Sequence, residues 1–150
     1  MQELKIPLVR LANSAGLDLP QRATLESAGM DLLAAIEDPI LIDPGTHRII
    51  PTGISIELPQ GYEAQIRPRS GLAAKHGVTI LNSPGTIDPD YRGEIGAIII
   101  NLGSTAFEIS RGMRVAQLVV NKFVNFYWDE RKKLGTTKRG GGGFGSTGTG

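Results

Sequence analysis

Several short stretches of the chain alternate apolar and polar residues with a period of two. Apolar side chains occupy every second position over residues 54–58 and again over 62–67, which is typical of β-strands with one buried face. Turn-forming combinations of Gly, Pro and Asp recur at intervals of roughly 8–12 residues, the spacing of strands in sandwiches and barrels. The pattern therefore predicts an all-β fold.

Two stretches are apolar on consecutive positions. Residues 98–100 are Ile-Ile-Ile and residues 118–120 are Leu-Val-Val. Strands of this kind need cover on both faces. In so small a domain, a second subunit is one source of the outer cover.

One short helix is predicted over residues 71–76. Ser70 is the candidate N-cap, the alanines that follow favour helix, and Gly77 can adopt the left-handed conformation that ends it. A weaker helical period over residues 22–36 is interrupted by Gly29 and predicts no stable helix.

The composition is that of one globular domain. The chain has 150 residues, of which 40% are hydrophobic and 21% charged, and it has no cysteine. The absence of cysteine excludes disulfides, thiolate metal sites and a cysteine nucleophile, and favours a reducing, cytoplasmic location. The longest apolar stretch, residues 95–100, is far shorter than the roughly 20 residues that span a bilayer, and residues 1–5 lack the features of an export signal. We expect no membrane partner.

Charge divides the chain into two parts. Residues 1–130 contain 11 basic and all 15 acidic side chains, whereas residues 131–150 contain five basic residues and no acid. A basic tail suits a polyphosphate, a nucleic acid or an anionic membrane, but the acidic body argues against a nucleic-acid duplex. Residues 140–150 include seven glycines and bury too little to fold alone. The sequence thus predicts a barrel domain over residues 1–134 and a flexible arm over 135–150.

Three segments could carry chemistry. Residues 67–71, Arg-Pro-Arg-Ser-Gly, combine two guanidinium groups with a helix start, which is either an anion site or a surface helix with solvated arginines. Residues 82–94 are either simple turn chemistry or a hairpin that presents Asp88 as a base. The glycines around Phe144 are either a linker or a phosphate-binding arm whose ring stacks on a base. No histidine stands in a triad signature, and no phosphate-loop or dinucleotide motif is present.

Five segments, in chain order, resemble the motifs of the trimeric dUTPases. They are residues 28–32, 67–73, 82–94, 112–117 and 139–148, which read AGMDL, RPRSGLA, NSPGTIDPDYRGE, GMRVAQ and RGGGGFGSTG. The first motif departs from the family in one respect, since the family often has an aromatic residue where this chain has Met30. That position precedes Asp31 and changes packing rather than chemistry.

The resemblance implies a jelly-roll β-barrel that forms a homotrimer. Its active sites would lie between subunits, with the arm of one chain closing over a site that two others build. The implied reaction is hydrolysis of dUTP to dUMP and pyrophosphate with Mg²⁺ chelated by the triphosphate. This activity would keep uracil out of DNA and supply dUMP for thymidylate synthesis.

The resemblance also implies roles for individual residues. Asp88 would deprotonate the attacking water, Gln117 would hold that water, and Asp31 would hold the water shell of the metal. The remaining residues would bind the substrate: the α- and β-phosphates at Arg69, Ser70 and Gly71; uracil at Asn82, Gly85, Thr86 and Ile87; the deoxyribose at Tyr91; and the arm contacts at Arg139, Phe144, Gly145, Ser146 and Thr147.

Two other functions remain open at this stage. A dCTP deaminase shares the fold in related families and would release ammonia from dCTP. A non-catalytic barrel would bind a phosphorylated ligand or a protein partner through its basic tail and release no pyrophosphate.

Overall fold

The computed structural model describes residues 3–144, and within them the chain forms eleven strands, one α-helix and one 3-10 helix. The strands are β1 Leu8–Arg10, β2 Gly29–Leu33, β3 Ile40–Ile42, β4 His47–Pro51, β5 Ile54–Ile56, β6 Tyr62–Arg67, β7 Val78–Ile80, β8 Gly85–Ile87, β9 Gly96–Asn101, β10 Phe107–Ile109 and β11 Arg114–Lys122. The helix α1 is Ser70–His76, and the 3-10 helix is Ala12–Ser14. The all-β prediction with one short helix is confirmed.

The strands pair antiparallel in four sheets. The largest has the order β2-β11-β6-β8, and a three-stranded sheet has the order β4-β9-β7. Two small sheets pair β1 with β5 and β10 with β3. Within the four-stranded sheet, β11 is bonded on one side to β2 and on the other to β6, so three of the motif segments lie on adjacent strands.

The inner faces of these sheets enclose one apolar core. In β6, Ala64 and Ile66 are buried while their neighbours are not, as the period of two predicts. Each fully buried Ile or Leu contributes on the order of 1.5–3 kcal/mol relative to exposure. The largest fully buried apolar side chains are Leu32, Ile42, Ile50, Ile95, Ile99, Ile109 and Val78.

The two runs of consecutive apolar residues are covered on one face by their own chain. Ile99 is buried, whereas Ile98 and Ile100 on either side of it are only half-buried. The same holds for Val119 between its neighbours on β11. The outer faces of both strands are therefore partly open in the single chain.

The start of α1 differs from the prediction, and the expected Ser70 cap was wrong. Ser70 is the first helical residue, while Arg69 occupies the N-cap position in extended conformation and makes no side-chain cap hydrogen bond. The reason is tertiary, because the Arg69 side chain donates to Asp31 and to the Arg114 carbonyl, which lie far away in the chain. A guanidinium group also has no acceptor for a helix N–H. Gly77 ends the helix in the left-handed conformation at φ 66°, as predicted.

The last strand ends at Lys122, and every residue from there to Gly141 is exposed. This part of the chain includes Phe126, Tyr127 and Trp128, which are 73%, 91% and 87% exposed. The predicted domain boundary at residue 134 lies well beyond the last strand, and it stays a prediction, as does the flexibility of the arm.

Candidate active site

A small cavity lies beside β8, where a loop connects it to β7. The cavity has a volume of about 220 Å³. A side chain at Gly85 would narrow it, because a Cβ there would lie 3.2 Å from Asn82 Nδ2 and 3.4 Å from Ile66 Cβ. We call this space the hairpin cavity after the hairpin predicted over residues 82–94, although that prediction was wrong in one respect, since β8 pairs with β6 while β7 and β9 pair with each other in another sheet. Its lining residues are Ile66, Asn82, Gly85, Thr86, Ile87, Asp88, Tyr91, Glu94, Gly96 and Ile98.

Tyr91 is fixed at one side of the hairpin cavity. Its hydroxyl donates to the Glu94 carbonyl at 2.9 Å, and its backbone N–H donates to the Asp88 carbonyl at 3.2 Å. Gly93 makes room for the ring, since a Cβ at Gly93 would overlap the tyrosine hydroxyl and lie 2.6 Å from Cζ. The ring is thus held by its own turn.

Glu94 ties this turn to the body of the barrel. Its Oε1 accepts hydrogen bonds from Asn13 Nδ2 at 2.7 Å and from the Gly53 backbone N–H at 2.8 Å. Sequence reasoning assigned Glu94 no role, although it closes the third motif. A half-buried carboxylate with two donors from distant segments fixes the position of the turn that carries Asp88 and Tyr91.

Asp88 is exposed and follows β8 directly. It lines the hairpin cavity and also a second cavity of about 650 Å³ on the other side of the turn. Among the hydrogen bonds of the described residues, none engages its carboxylate. The side chain is therefore available to a water molecule or a substrate.

Asp31 is the centre of a group of charges at the start of α1. Its Oδ1 accepts a hydrogen bond from Arg69 Nε at 3.0 Å, and its Oδ2 accepts one from Arg114 Nη1 at 3.4 Å. Arg69 Nη1 also donates to the Arg114 carbonyl at 3.1 Å. With one carboxylate for two guanidinium groups, the cluster has a net positive charge and attracts an anion. Sequence reasoning missed Arg114, although it belongs to the fourth motif.

Gln117 stands between Asp31 and Arg67 on β11, opposite both in the strand register. Its Nε2 donates to the Pro68 carbonyl at 2.9 Å, which ties β11 to the segment that enters α1. The side chain passes over Gly29, where a Cβ would overlap Oε1 and lie 3.3 Å from Cδ. Gly29 therefore leaves the space that Gln117 occupies.

Ser70 and Gly71 are exposed at the first turn of α1. The first backbone hydrogen bond of the helix runs from the Ala73 N–H to the Arg69 carbonyl at 3.1 Å. The N–H groups of Ser70 and Gly71, which precede this bond, have no partner within the helix. They are free to donate to an anion beside Arg69.

The arm is described only to Phe144. Arg139 Nε donates to the Gly142 carbonyl at 2.8 Å, a contact within its own turn. Phe144 is fully exposed, with a positive φ of 46°. The predicted arm residues Gly145, Ser146 and Thr147 lie outside the described residues.

The described site residues form two groups within one chain. The first surrounds the hairpin cavity, and the second contains Asp31, Arg69, Ser70, Gly71 and Gln117. None of the second group lines the hairpin cavity. A cavity of about 480 Å³ is lined by Gln117 and also by Ser83 and Pro84, which precede β8.

Among residues 3–144, no group of three or more His, Cys, Asp or Glu side chains could enclose a metal ion. Asp31 is a single carboxylate with both oxygens engaged by arginine, and each oxygen keeps further acceptor capacity. This donor set fits a Mg²⁺ ion that is held mainly by phosphates and reaches the protein through water. It does not fit an all-protein metal site.

The described part of the chain contains no helix long and apolar enough to cross a membrane.

Known proteins are similar to this chain in both sequence and fold. The model of the dUTPase family matches residues 15–148. The deoxyuridine 5'-triphosphate nucleotidohydrolase of Rickettsia akari is 56% identical over 148 residues, which cover 99% of each chain. The protein of the same name from Rickettsia bellii is 58% identical over 144 residues, covering 96% of this chain and 95% of its own.

Solved structures of dUTPases have a fold similar to that of this chain. A mutant dUTPase of Staphylococcus bacteriophage 80alpha with dUpNHpp matches with a TM-score of 0.85 and 23% identity, over 97% of this chain and 99% of that chain. A mutant dUTPase of phage phi11 of S. aureus, described with the coordination of a structural Mg(II) ion, matches with a TM-score of 0.77 and 21% identity, over 87% and 99% of the two chains. The predicted jelly-roll β-barrel is confirmed.

Proposed function

The chain belongs to the dUTPase family, and from that premise we propose that it hydrolyses dUTP to dUMP and pyrophosphate. The observation that carries the proposal is the hairpin cavity, because it brings Asn82, Gly85, Thr86, Ile87, Asp88 and Tyr91 together. A narrow cavity with an unengaged carboxylate at its edge suits a nucleoside whose phosphates lie outside it.

The hairpin cavity is the proposed uridine site. The Asn82 amide and the β8 backbone donate and accept hydrogen bonds at the uracil edge. The close approach of Asn82 and Ile66 to Gly85 leaves little space for the methyl group of thymine. The Tyr91 ring, held by its hydroxyl, packs against the deoxyribose and excludes a 2′-hydroxyl.

Asp88 is the proposed general base. Its carboxylate takes a proton from a water molecule that Gln117 holds, and the water oxygen bonds to the α-phosphorus. The bond from the α-phosphorus to the oxygen that bridges it to the β-phosphorus breaks in line, and pyrophosphate leaves with that oxygen. The products are dUMP and pyrophosphate.

Arg69 and the free N–H groups of Ser70 and Gly71 bind the α- and β-phosphates in this proposal. The excess positive charge around Asp31 stabilises the charge that develops on the phosphate oxygens. From the arm, Arg139, Ser146 and Thr147 clamp the β- and γ-phosphates in this proposal, Gly145 is a further substrate-binding residue, and Phe144 stacks on uracil. Asp31 would hold a water of the Mg²⁺ shell, and the metal would supply neutralisation of the triphosphate charge.

We also propose that the protein is a homotrimer with shared sites. The two groups of site residues line different cavities in one chain, and the hydrogen bonds of the described part of the arm, residues 135–144, stay within the arm. The exposed aromatic residues after β11 form an apolar surface that a neighbouring subunit can cover. A cysteine-free chain that acts on free nucleotides fits the cytoplasm.

The test is pyrophosphate release with Mg²⁺ and each of dUTP, dTTP, dCTP and UTP. We expect turnover of dUTP alone. Asp88→Asn should lower turnover by about 10³-fold or more, because a general base contributes about 10²–10⁴-fold to the rate and the attack of water on the α-phosphorus depends on it. Binding of dUTP to this variant should persist. Ammonia release from dCTP would instead indicate a deaminase, and near-normal turnover of Asp88→Asn would overturn the assigned base.

A further inference from the structure

Arg67 is the last residue of β6 and has no role in the mechanism above. The strand register places it opposite Gln117, and Gln117 opposite Asp31 on the far side. Paired residues of antiparallel strands point to the same face of a sheet. Arg67 therefore stands in a row with the residue that holds the attacking water.

The guanidinium group of Arg67 is held by a ladder of hydrogen bonds along its own strand. Nε and Nη2 donate to Gln65 Oε1 at 3.0 and 2.7 Å. Gln65 Nε2 in turn donates to Glu63 Oε1 at 2.7 Å. These contacts fix the side chain before any ligand binds, which lowers the entropic cost of a contact with a ligand.

The charge of Arg67 lacks a direct counter-ion. Each ion pair among residues 3–144 uses another arginine, namely Arg69, Arg92, Arg114 or Arg131. Arg67 is half-buried, and its hydrogen-bond acceptor is a neutral amide. A guanidinium group has five N–H donors, so those not used by Gln65 remain for an anion.

Two cavities meet at this side chain. Arg67 and Gln117 together line a cavity of about 320 Å³ on the Asp31 side and the cavity of about 480 Å³ on the Ser83-Pro84 side. The guanidinium group thus lies on the wall of the space that surrounds Gln117. An anion bound beside Gln117 is within reach of it.

We propose that Arg67 is a further substrate-binding residue, which donates to a non-bridging oxygen of the α-phosphate. This inference rests on the proposed function and deepens it, because the position of Gln117 identifies the α-phosphate as the group nearest to Arg67. A guanidinium group suits this task, since it donates charge-assisted hydrogen bonds in a fixed geometry.

The product dUMP, which has only the α-phosphate, isolates the proposed contact. Binding of dUMP and of deoxyuridine is measured by calorimetry for the wild type, Arg67→Gln, Arg67→Lys and the control Arg48→Gln, an exposed arginine on β4. We expect Arg67→Gln to weaken the binding of dUMP about tenfold and to leave the binding of deoxyuridine unchanged. Arg67→Lys should lose less affinity for dUMP than Arg67→Gln, and Arg48→Gln should bind both ligands as tightly as the wild type does.

Equal dUMP affinity in Arg67→Gln and the wild type would overturn the proposal. An equal loss for dUMP and deoxyuridine would overturn it as well, because the residue would then only support the fold. If Arg67→Gln does not fold, the comparison of Arg67→Lys with the wild type decides. Turnover of dUTP by the wild type is measured first, so that failure of the proposed reaction is distinguished from failure of this contact.

Discussion

At the scale of single residues, the site depends on glycines whose missing side chains make room for polar side chains nearby. Gly29 leaves room for Gln117, and Gly93 leaves room for Tyr91. The sequence showed that these glycines belong to motifs. It could not show what they face, because Gly29 and Gln117 are far apart in the chain and meet only through the pairing of β2 with β11.

We expect Gly29→Ala to fold but to lose activity. The added methyl group would overlap the end of the flexible Gln117 side chain and contact Val119 Cγ2 at 3.3 Å. Gln117 would rotate away and lose the Pro68 carbonyl. Since a displacement of about 1 Å in a catalytic group can cost about 100-fold, kcat should fall by about 10- to 100-fold, with the thermal midpoint changed by only a few degrees.

The double variant Gly29→Ala/Gln117→Ala provides the control for this prediction. If the methyl group acts through Gln117, the double variant should be no less active than Gln117→Ala alone. Independent losses that multiply would contradict the coupling.

At the scale of elements, the period of two located the strands well. The alternation over residues 62–67 corresponds to β6 residue for residue. The helix was also found, but its first residue was misplaced because a tertiary contact between Arg69 and Asp31 overrode the local capping preference. Which strands are neighbours depends on long-range pairing, so the row formed by Asp31, Gln117 and Arg67 was beyond prediction from the period alone.

The end of α1 provides a prediction about stability. Gly77 has φ 66°, and a Cβ there would lie 2.8 Å from the Gly103 backbone nitrogen. Gly61 has a similar φ of 80°, but nothing lies within 4 Å of its Cβ position. Gly61→Ala should lower the free energy of unfolding by about 1 kcal/mol, because alanine is strained in the left-handed conformation. Gly77→Ala should lower it by at least about 1 kcal/mol more, because the rigid backbone at Gly103 must also move.

Denaturant unfolding of both variants measures the difference. The two substitutions share the conformational term, so the excess in Gly77→Ala reports the contact between α1 and the loop after β9. Equal losses would show that the backbone near Gly103 yields freely.

At the scale of the whole molecule, one chain holds each part of the site but does not assemble them. The hairpin cavity has none of the residues of the charged cluster around Asp31 in its lining, and the hydrogen bonds of the described part of the arm stay within the arm. The sequence motifs indicated all three parts, and their order in the chain agreed with the family. The assembly of these parts across the subunits of a homotrimer stays a proposal.

Mixing two inactive variants tests whether the sites are shared. Asp88→Asn removes the proposed base from the hairpin cavity, and Arg69→Gln removes a proposed phosphate-binding cation from the group around Asp31. If the two groups of one site come from different subunits of a cyclic trimer, co-refolded variants should recover about a quarter of wild-type activity by random assembly.

Refolding each variant alone is the control, and neither variant should recover activity. Sites made within one chain would leave the mixture as inactive as its components. Sedimentation of the mixture gives the oligomeric state in the same samples.

The position of β11 in its sheet has a consequence for how the protein fails on heating. Residues 114–119 of the strand pair with β2 and residues 117–122 pair with β6, so both edges are bonded at residues 117–119, and Val115 and Ala116 are buried in the core. Backbone amides in such a strand exchange with solvent only when the whole domain opens. The backbone of Gln117 should therefore stay closed until the barrel unfolds, whereas Asp31 on the edge strand β2 and Arg67 at the end of β6 can open earlier.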